Sequence, residues 1–232
     1  MEIFDRIQYF SSLDLIAVVF IALSWIGISW VIEHANTKRP SVSVLMSEYR
    51  REWMRQFVTR QPRIFDATIL DTLRQGTTFF ASACMIAIGG GLALIGNTES
   101  LAGVAQDLSL DNAPKVVWEV KILMVIMFLA DGFLKFVWAH RLFGYCAVMM
   151  ASVPNDENDA ACIPRANKAA EINISAARSF NRGLRSVYFA LGALAWFLGA
   201  IPLILATMLT VLLLWRREFA SNSRSVLLQA DE

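Results

Sequence analysis

Twenty consecutive residues from Leu13 to Ile32 carry a single charge, Asp14, and that charge stands at the start of the run. At about 1.5 Å per residue such a helix reaches about 30 Å, the thickness of a bilayer's hydrocarbon core. A cleaved leader is the competing reading, and it wants a basic start, a short apolar region and small residues at the cut. Here the start holds Glu2, Asp5 and only Arg6, and the run ends in Trp30-Val31-Ile32-Glu33. The run reads as a retained span. Composition agrees: 56% of the residues are hydrophobic, 18% are charged and the mean hydropathy is +0.48. Soluble domains average about 25% charged residues. A disordered chain, a collagen, a disulfide scaffold and a soluble nucleic-acid binder are excluded.

The rest of the chain punctuates clearly. Basic residues crowd the stretch from Lys38 to Arg74. Val42, Leu45/Met46, Tyr49, Trp53 and Phe57 recur there at three-to-four spacing, with Arg50, Arg51, Arg55 and Arg60 between them. That pattern predicts a basic amphipathic helix over Ser41–Arg60 that buries Val42, Met46, Tyr49, Trp53 and Phe57. Pro40-Ser41 opens it and Gln61-Pro62 closes it. A second helix begins at Arg63 and enters the bilayer near Thr77. Residues 97–115 form a polar connection. The third helix runs from about Val116 to Ala151, too long for a bilayer alone, and Pro154 with the polar run 155–159 makes a loop.

The last apolar stretch, Val187 to Trp215, is either one long span or a hairpin broken at Gly199-Ala200-Ile201-Pro202. Charge decides between them. Eight Lys/Arg lie between spans one and two and six between spans three and four, against Arg6 and Lys115 on the other side. A single final helix puts Arg216, Arg217 and Arg224 with the minority, whereas a hairpin gives seventeen against two. By the positive-inside rule the hairpin is preferred. The expected fold is therefore all-α: one polytopic membrane domain with spans at about 13–32, 77–96, 116–138, 183–199 and 202–217. Segments 33–76 and 139–182 are cytoplasmic. The N-terminus is periplasmic and the C-terminus cytoplasmic in a bacterial inner (plasma) membrane. The final two spans are short, and Arg182 and Arg185 have to snorkel.

No nucleophile elbow, phosphate-binding glycine loop or zinc-type His/Cys spacing is present, so no enzyme, metal or cofactor is expected. His34 and His140 read as polar helix ends. Asp156, Glu157 and Asp159 lack the glycine and terminal Glu of a calcium loop. Cys84, Cys146 and Cys162 read as small buried hydrophobes. Ala83, Ala87 and Gly91 form a small-residue stripe suited to close helix packing, with a backbone-lined constriction as the sharper alternative.

Charge inside the third span is the costly feature. At about 100° per residue, Lys121, Asp131 and Lys135 share a face about 80° wide. Asp131 precedes Lys135 by four residues, the favourable order for an ion pair. Two readings stand open. The pair neutralises itself and docks the helix in a bundle, or the stripe walls a hydrated path that shows Lys121 and Lys135 to an anion. Arg50, Arg51, Arg55, Arg141, Arg182 and Arg185 make a basic cytoplasmic face suited to a partner or to anionic lipid.

Several stretches resemble the membrane-protein family of bacteria and plants known as domain of unknown function 599. They are Arg39-Pro-Ser with Tyr49-Arg-Arg-Glu-Trp-Met-Arg, Thr78-Phe-Phe-Ala-Ser, and Trp118-Glu-Val-Lys121. Phe133-Leu-Lys-Phe-Val-Trp-Ala-His-Arg141 with Tyr145, Phe180-Asn-Arg-Gly-Leu-Arg-Ser-Val-Tyr-Phe-Ala-Leu, and Arg216-Arg-Glu-Phe complete the set. The resemblance implies a multi-pass membrane protein and no substrate. The expected function is an oligomeric channel or transporter for a small solute, with an anion among the candidates. Five spans are too few to enclose a gated path, so a homo-oligomer is expected. The alternative is a non-catalytic scaffold or accessory subunit binding a partner or anionic lipid through the basic face.

Overall fold

The computed structural model describes residues 9–36, 38–97 and 114–229, which form helices and turns without a strand. The helices are α1 (Ser12–Glu33), α2 (Val42–Thr59), α3 (Ile64–Gly96), α4 (Lys115–Ala151), α5 (Cys162–Ala193), α6 (Ala200–Phe219) and α7 (Asn222–Leu227), with a 3₁₀ turn at Leu194–Leu198 before α6. Four stretches are long and apolar enough to cross a membrane: Ser12–Glu33, Ile64–Gly96, Lys115–Ala151 and Ala200–Leu227. Most of the expected polar connection, residues 98–113, lies outside the described residues, as do Glu2, Asp5 and Arg6.

The helix starts follow from their caps. Ser11 opens α1: its hydroxyl oxygen accepts the Asp14 N–H at 3.1 Å, and the Asp14 carboxylate accepts the Ser11 N–H at 3.1 Å. This reciprocal capping box satisfies donors that a helix end otherwise leaves open. Ser41 caps α2 by accepting from the Val44 N–H at 3.2 Å, and its own hydroxyl donates to the Ile32 carbonyl at 2.8 Å. The break in the last apolar stretch falls on Gly199, whose φ of +122° is open to glycine and strained for other residues. Pro202 then sits in the first turn of α6, where its missing N–H costs nothing. The chain reverses there: a Cβ on Gly192 would stand 3.1 Å from Thr210 Oγ1.

The chain divides into two compact units. One comprises residues 1–30, 83–132 and 184–215. Its described residues include only six charged ones: Asp14, Lys115, Glu119, Lys121, Asp131 and Arg185. Its core is aromatic, with Phe128 meeting Trp25 edge-on at 5.4 Å and stacking on Phe189 at 6.1 Å. The small-residue stripe packs only in part. A Cβ on Gly91 would stand 2.9 Å from the Ile126 side chain, so α3 and α4 approach closely there. Ala83 and Ala87, expected to share that contact, are exposed, because the inward side of α3 at this level carries Cys84 and Ile88 instead.

The other unit comprises residues 31–82, 133–183 and 216–232. Met54, Phe57 and Val58 of α2 pack with Phe143, Cys146 and Met150 of α4, and alanines of α5 fill the space between them. The amphipathic helix is present, but its buried face differs from the expected one. Met46 and Tyr49 are 37% and 42% exposed, Val42 and Trp53 are half-buried, and Met54 and Val58 are buried beside Phe57. At about 100° per residue the face is rotated by roughly a quarter-turn. The reason is polar. The Arg50 guanidinium donates to Asn173, a buried side chain of α5, and turns α2 inward on the line Arg50–Met54–Phe57. Trp53 moves to the boundary, where its Nε1–H donates to Asp66 Oδ1 at 2.7 Å.

Candidate functional site

Lys121 lies on the inward face of α4, in register with Val117, Trp118, Ile122 and Phe128. It is 8% exposed. Its ammonium stands 5.1 Å from the Trp118 ring centroid and 5.9 Å from that of Trp196. Cation–π contacts of this kind contribute about 0.5–2 kcal/mol. Its charge also acts on Asp14. Asp14 in turn ties two segments together, because Trp196 Nε1–H donates to its Oδ1 at 2.7 Å while Ser11 Oγ–H donates to its Oδ2 at 2.6 Å. Trp118 stacks on Phe197 at 5.9 Å, and Phe10 lies 5.7 Å from Trp196.

These groups border a cleft of about 500 Å³ at the Gly199 turn. Tyr9, Phe10, Trp118 and Phe197 give it aromatic walls, and Asp14 and Lys121 give it one charge of each sign. A buried cation beside ring faces suits a small organic anion with an apolar body.

The other two members of the stripe lie elsewhere. Asp131 is half-buried and accepts a hydrogen bond from the Ser186 hydroxyl of α5. Beside Ser186, Arg185 is 3% exposed and its Nε–H donates to Ser29 Oγ of α1 at 3.1 Å. A polar contact thus links the three helices. Lys135 is half-buried, and its carbonyl accepts from Ser179 Oγ at 2.8 Å. Lys121 therefore lines the cleft, and Asp131 and Lys135 do not.

The basic residues singled out from sequence are largely engaged within the chain. Arg50 holds Asn173, and burial pulls its guanidinium below its ordinary pKa. Arg51 bridges Glu171 at 2.7 Å and Glu48 at 2.6 Å, and the Glu171 hydrogen bond raises its pKa. Arg55 pairs with Glu52 at 3.3 Å, Arg182 pairs with Glu33, and Arg185 holds Ser29. Arg141 is exposed: it donates to the Tyr145 hydroxyl at 2.8 Å and lies near the Trp138 and Tyr145 rings, the mixture of residues found at membrane–water boundaries.

Two arginines not singled out from sequence line a second cleft, of about 470 Å³. They are Arg63 and Arg74, with Phe57, Leu70 and Met150 as apolar walls. One signal was available. Arg74 is the last charge before the uncharged run Gln75–Gly96.

The sequence pattern of the family described as "Protein of unknown function, DUF599" matches residues 16–223. The chain belongs to that family. The DUF599 match takes in Lys121, Asp131, Lys135 and the whole Arg63–Arg74 cleft, while Tyr9, Phe10 and Asp14 precede it. No curated protein and no solved structure matches this DUF599 chain.

Proposed function

We propose that this DUF599 protein crosses a bacterial inner membrane five times and, as a homo-oligomer, moves a small organic anion. The observation that carries the reading is Lys121, a buried cation against Trp118 and Trp196 at the edge of an aromatic cleft. Under the five-span topology that cleft opens at the periplasmic end, because the starts of α1 and α4 and the Gly199 turn all lie there. The charge-poor unit fits the bilayer core. The seventeen-to-two distribution of Lys/Arg supports the orientation, and the reversal at Gly199 supports the hairpin. The exposed small residues Ala83 and Ala87 would let α3 approach a second copy closely. The reading assigns no catalytic role to any residue.

In proteoliposomes the wild type is expected to pass small carboxylates, and Lys121→Met to lower the initial rate at least tenfold while the oligomer stays intact. A wild type without flux overturns the transport reading. The second reading, a non-catalytic scaffold or accessory subunit, is favoured by the hydrogen bond that Asp131 accepts from Ser186, which commits an intramembrane charge to a contact between helices.

Topology is tested separately. Reporter fusions after Asn158 and after Trp215 are expected to read cytoplasmic alike. A periplasmic signal after Trp215 would restore four spans.

A further inference from the structure

We propose that the second cleft binds a membrane phospholipid with an anionic head, Arg63 and Arg74 holding the phosphate and the apolar wall of Phe57, Leu70 and Met150 taking the first part of an acyl chain. The inference rests on the membrane reading but not on transport. Its starting point is charge. Among the described residues, neither arginine has a carboxylate within ion-pair distance. Asp71 at the exposed rim accepts instead from Gln75 at 2.6 Å. Asp66, on the same helix, accepts from Arg60 and Trp53 at its Oδ1, and its Oδ2 is buried without a donor among the described residues.

The two arginines are held differently. Arg63 is fixed by backbone carbonyls: its Nη1 donates to Val153 at 2.8 Å, and its Nη2 to Pro154 at 2.7 Å and Val58 at 3.2 Å. Its guanidinium also lies 4.6 Å from the Phe57 ring centroid. These neutral acceptors orient the group and leave its charge uncancelled. Arg74 has no side-chain partner among the described residues. The Nε–H groups of both arginines are buried without an acceptor. A phosphate carries several strong acceptor oxygens, and guanidinium is the side chain whose geometry matches it best.

Depth selects a lipid over a free anion. Arg74 ends the charged part of α3, and the uncharged run begins at the next residue, so under the membrane reading it stands at headgroup level on the basic, cytoplasmic side. The apolar wall adjoining it would be wasted on an inorganic ion.

The test uses the full-length protein reconstituted in vesicles of equal phosphatidylcholine and phosphatidylglycerol, then released into mild detergent for native mass spectrometry. Vesicle co-flotation before release checks the membrane reading independently. The wild type is expected to retain one phosphatidylglycerol per chain. Arg74→Gln is expected to lower that occupancy at least fivefold. Ala67→Phe keeps both arginines but fills the cleft, and is expected to do the same. Arg55→Gln, an exposed arginine already paired with Glu52, is expected to match the wild type. Equal retention in all four proteins overturns the proposal. Displacement of the lipid by millimolar inorganic phosphate, with Ala67→Phe unaffected, overturns it in favour of a free-anion site. A second copy of the chain retained in place of lipid, and lost in Ala67→Phe, overturns it in favour of a protein contact.

Discussion

Replacing Phe136 with alanine is expected to destabilise the protein by about 3 kcal/mol, the lower part of the range for a fully buried phenylalanine. Phe136 is completely buried on α4. Its ring stacks on Phe80 of α3 at 5.4 Å and meets Phe180 of α5 at 5.4 Å, while Phe80 and Phe180 meet each other at 5.7 Å. The three rings form one contact among three helices. In a membrane the transfer part of the loss shrinks, because lipid tails are as apolar as the core. The cavity part remains, since ring atoms left without neighbours lose their dispersion contacts wherever the protein sits. Gly183 completes the site: a Cβ there would stand 2.7 Å from Phe136 Cε1. Phe80 and Phe180 block the ring from moving aside, so Gly183→Ala is expected to cost about 1–3 kcal/mol by overpacking. Gly76→Ala, whose new Cβ meets nothing within 4 Å, is the matched control and is expected to be neutral or mildly stabilising. Denaturant titrations in one detergent check the ranking. A Phe136→Ala protein within 1 kcal/mol of the wild type would show that the three-ring contact carries little of the stability.

The helix limits were legible because local chemistry sets them. Ser11 and Ser41 cap, Pro62 and Pro154 interrupt, and the polar run 155–159 cannot stay in a helix that packs on both sides. The predicted ends at Leu13, Arg63, Val116 and Ala151 fall within one residue of the observed ones. The orientation of α2 was not legible in the same way. Its apolar residues admit two faces, and the choice was made by Asn173, a partner more than a hundred residues away that periodicity does not report. The same distance hid the fate of the basic face. Arg51 looks free for a ligand until Glu171 is brought beside it by folding. Conversely, Arg63 looked ordinary among eight basic residues and Arg74 stood out only by its place at the edge of the uncharged run; the burial of their Nε atoms arises only on folding. For Lys121 one half of the site could be read, since Trp118 is three residues earlier on the same helix. Trp196 and the capping role of Asp14 belong to segments that tertiary structure alone brings together.

The sign of the effect at Gly199 tests the chain reversal. Here φ is +122° and ψ is 176°, a region essentially reserved for glycine. Gly199→Val is expected to cost about 3 kcal/mol, the upper end for such strain, because a β-branched residue tolerates it worst. The position is also pinned on both sides. The Gly199 N–H donates to the Trp196 carbonyl at 3.0 Å, closing the 3₁₀ turn, and the Gly199 carbonyl accepts from the Leu203 N–H at 3.2 Å, opening α6. Relaxing the strain would move Trp196, whose indole N–H holds Asp14 and whose ring faces Lys121. Gly199→Val should therefore disturb the aromatic cleft along with stability, and lose any flux that depends on Lys121. Gly199→Ala discriminates most sharply. If residues 187–215 formed one continuous helix, alanine would be favoured over glycine at its midpoint by about 1 kcal/mol. If the chain reverses at Gly199, alanine meets the forbidden backbone region and is unfavourable. Destabilisation by Gly199→Ala in detergent unfolding is the expected result, and stabilisation would replace the hairpin with a single long span.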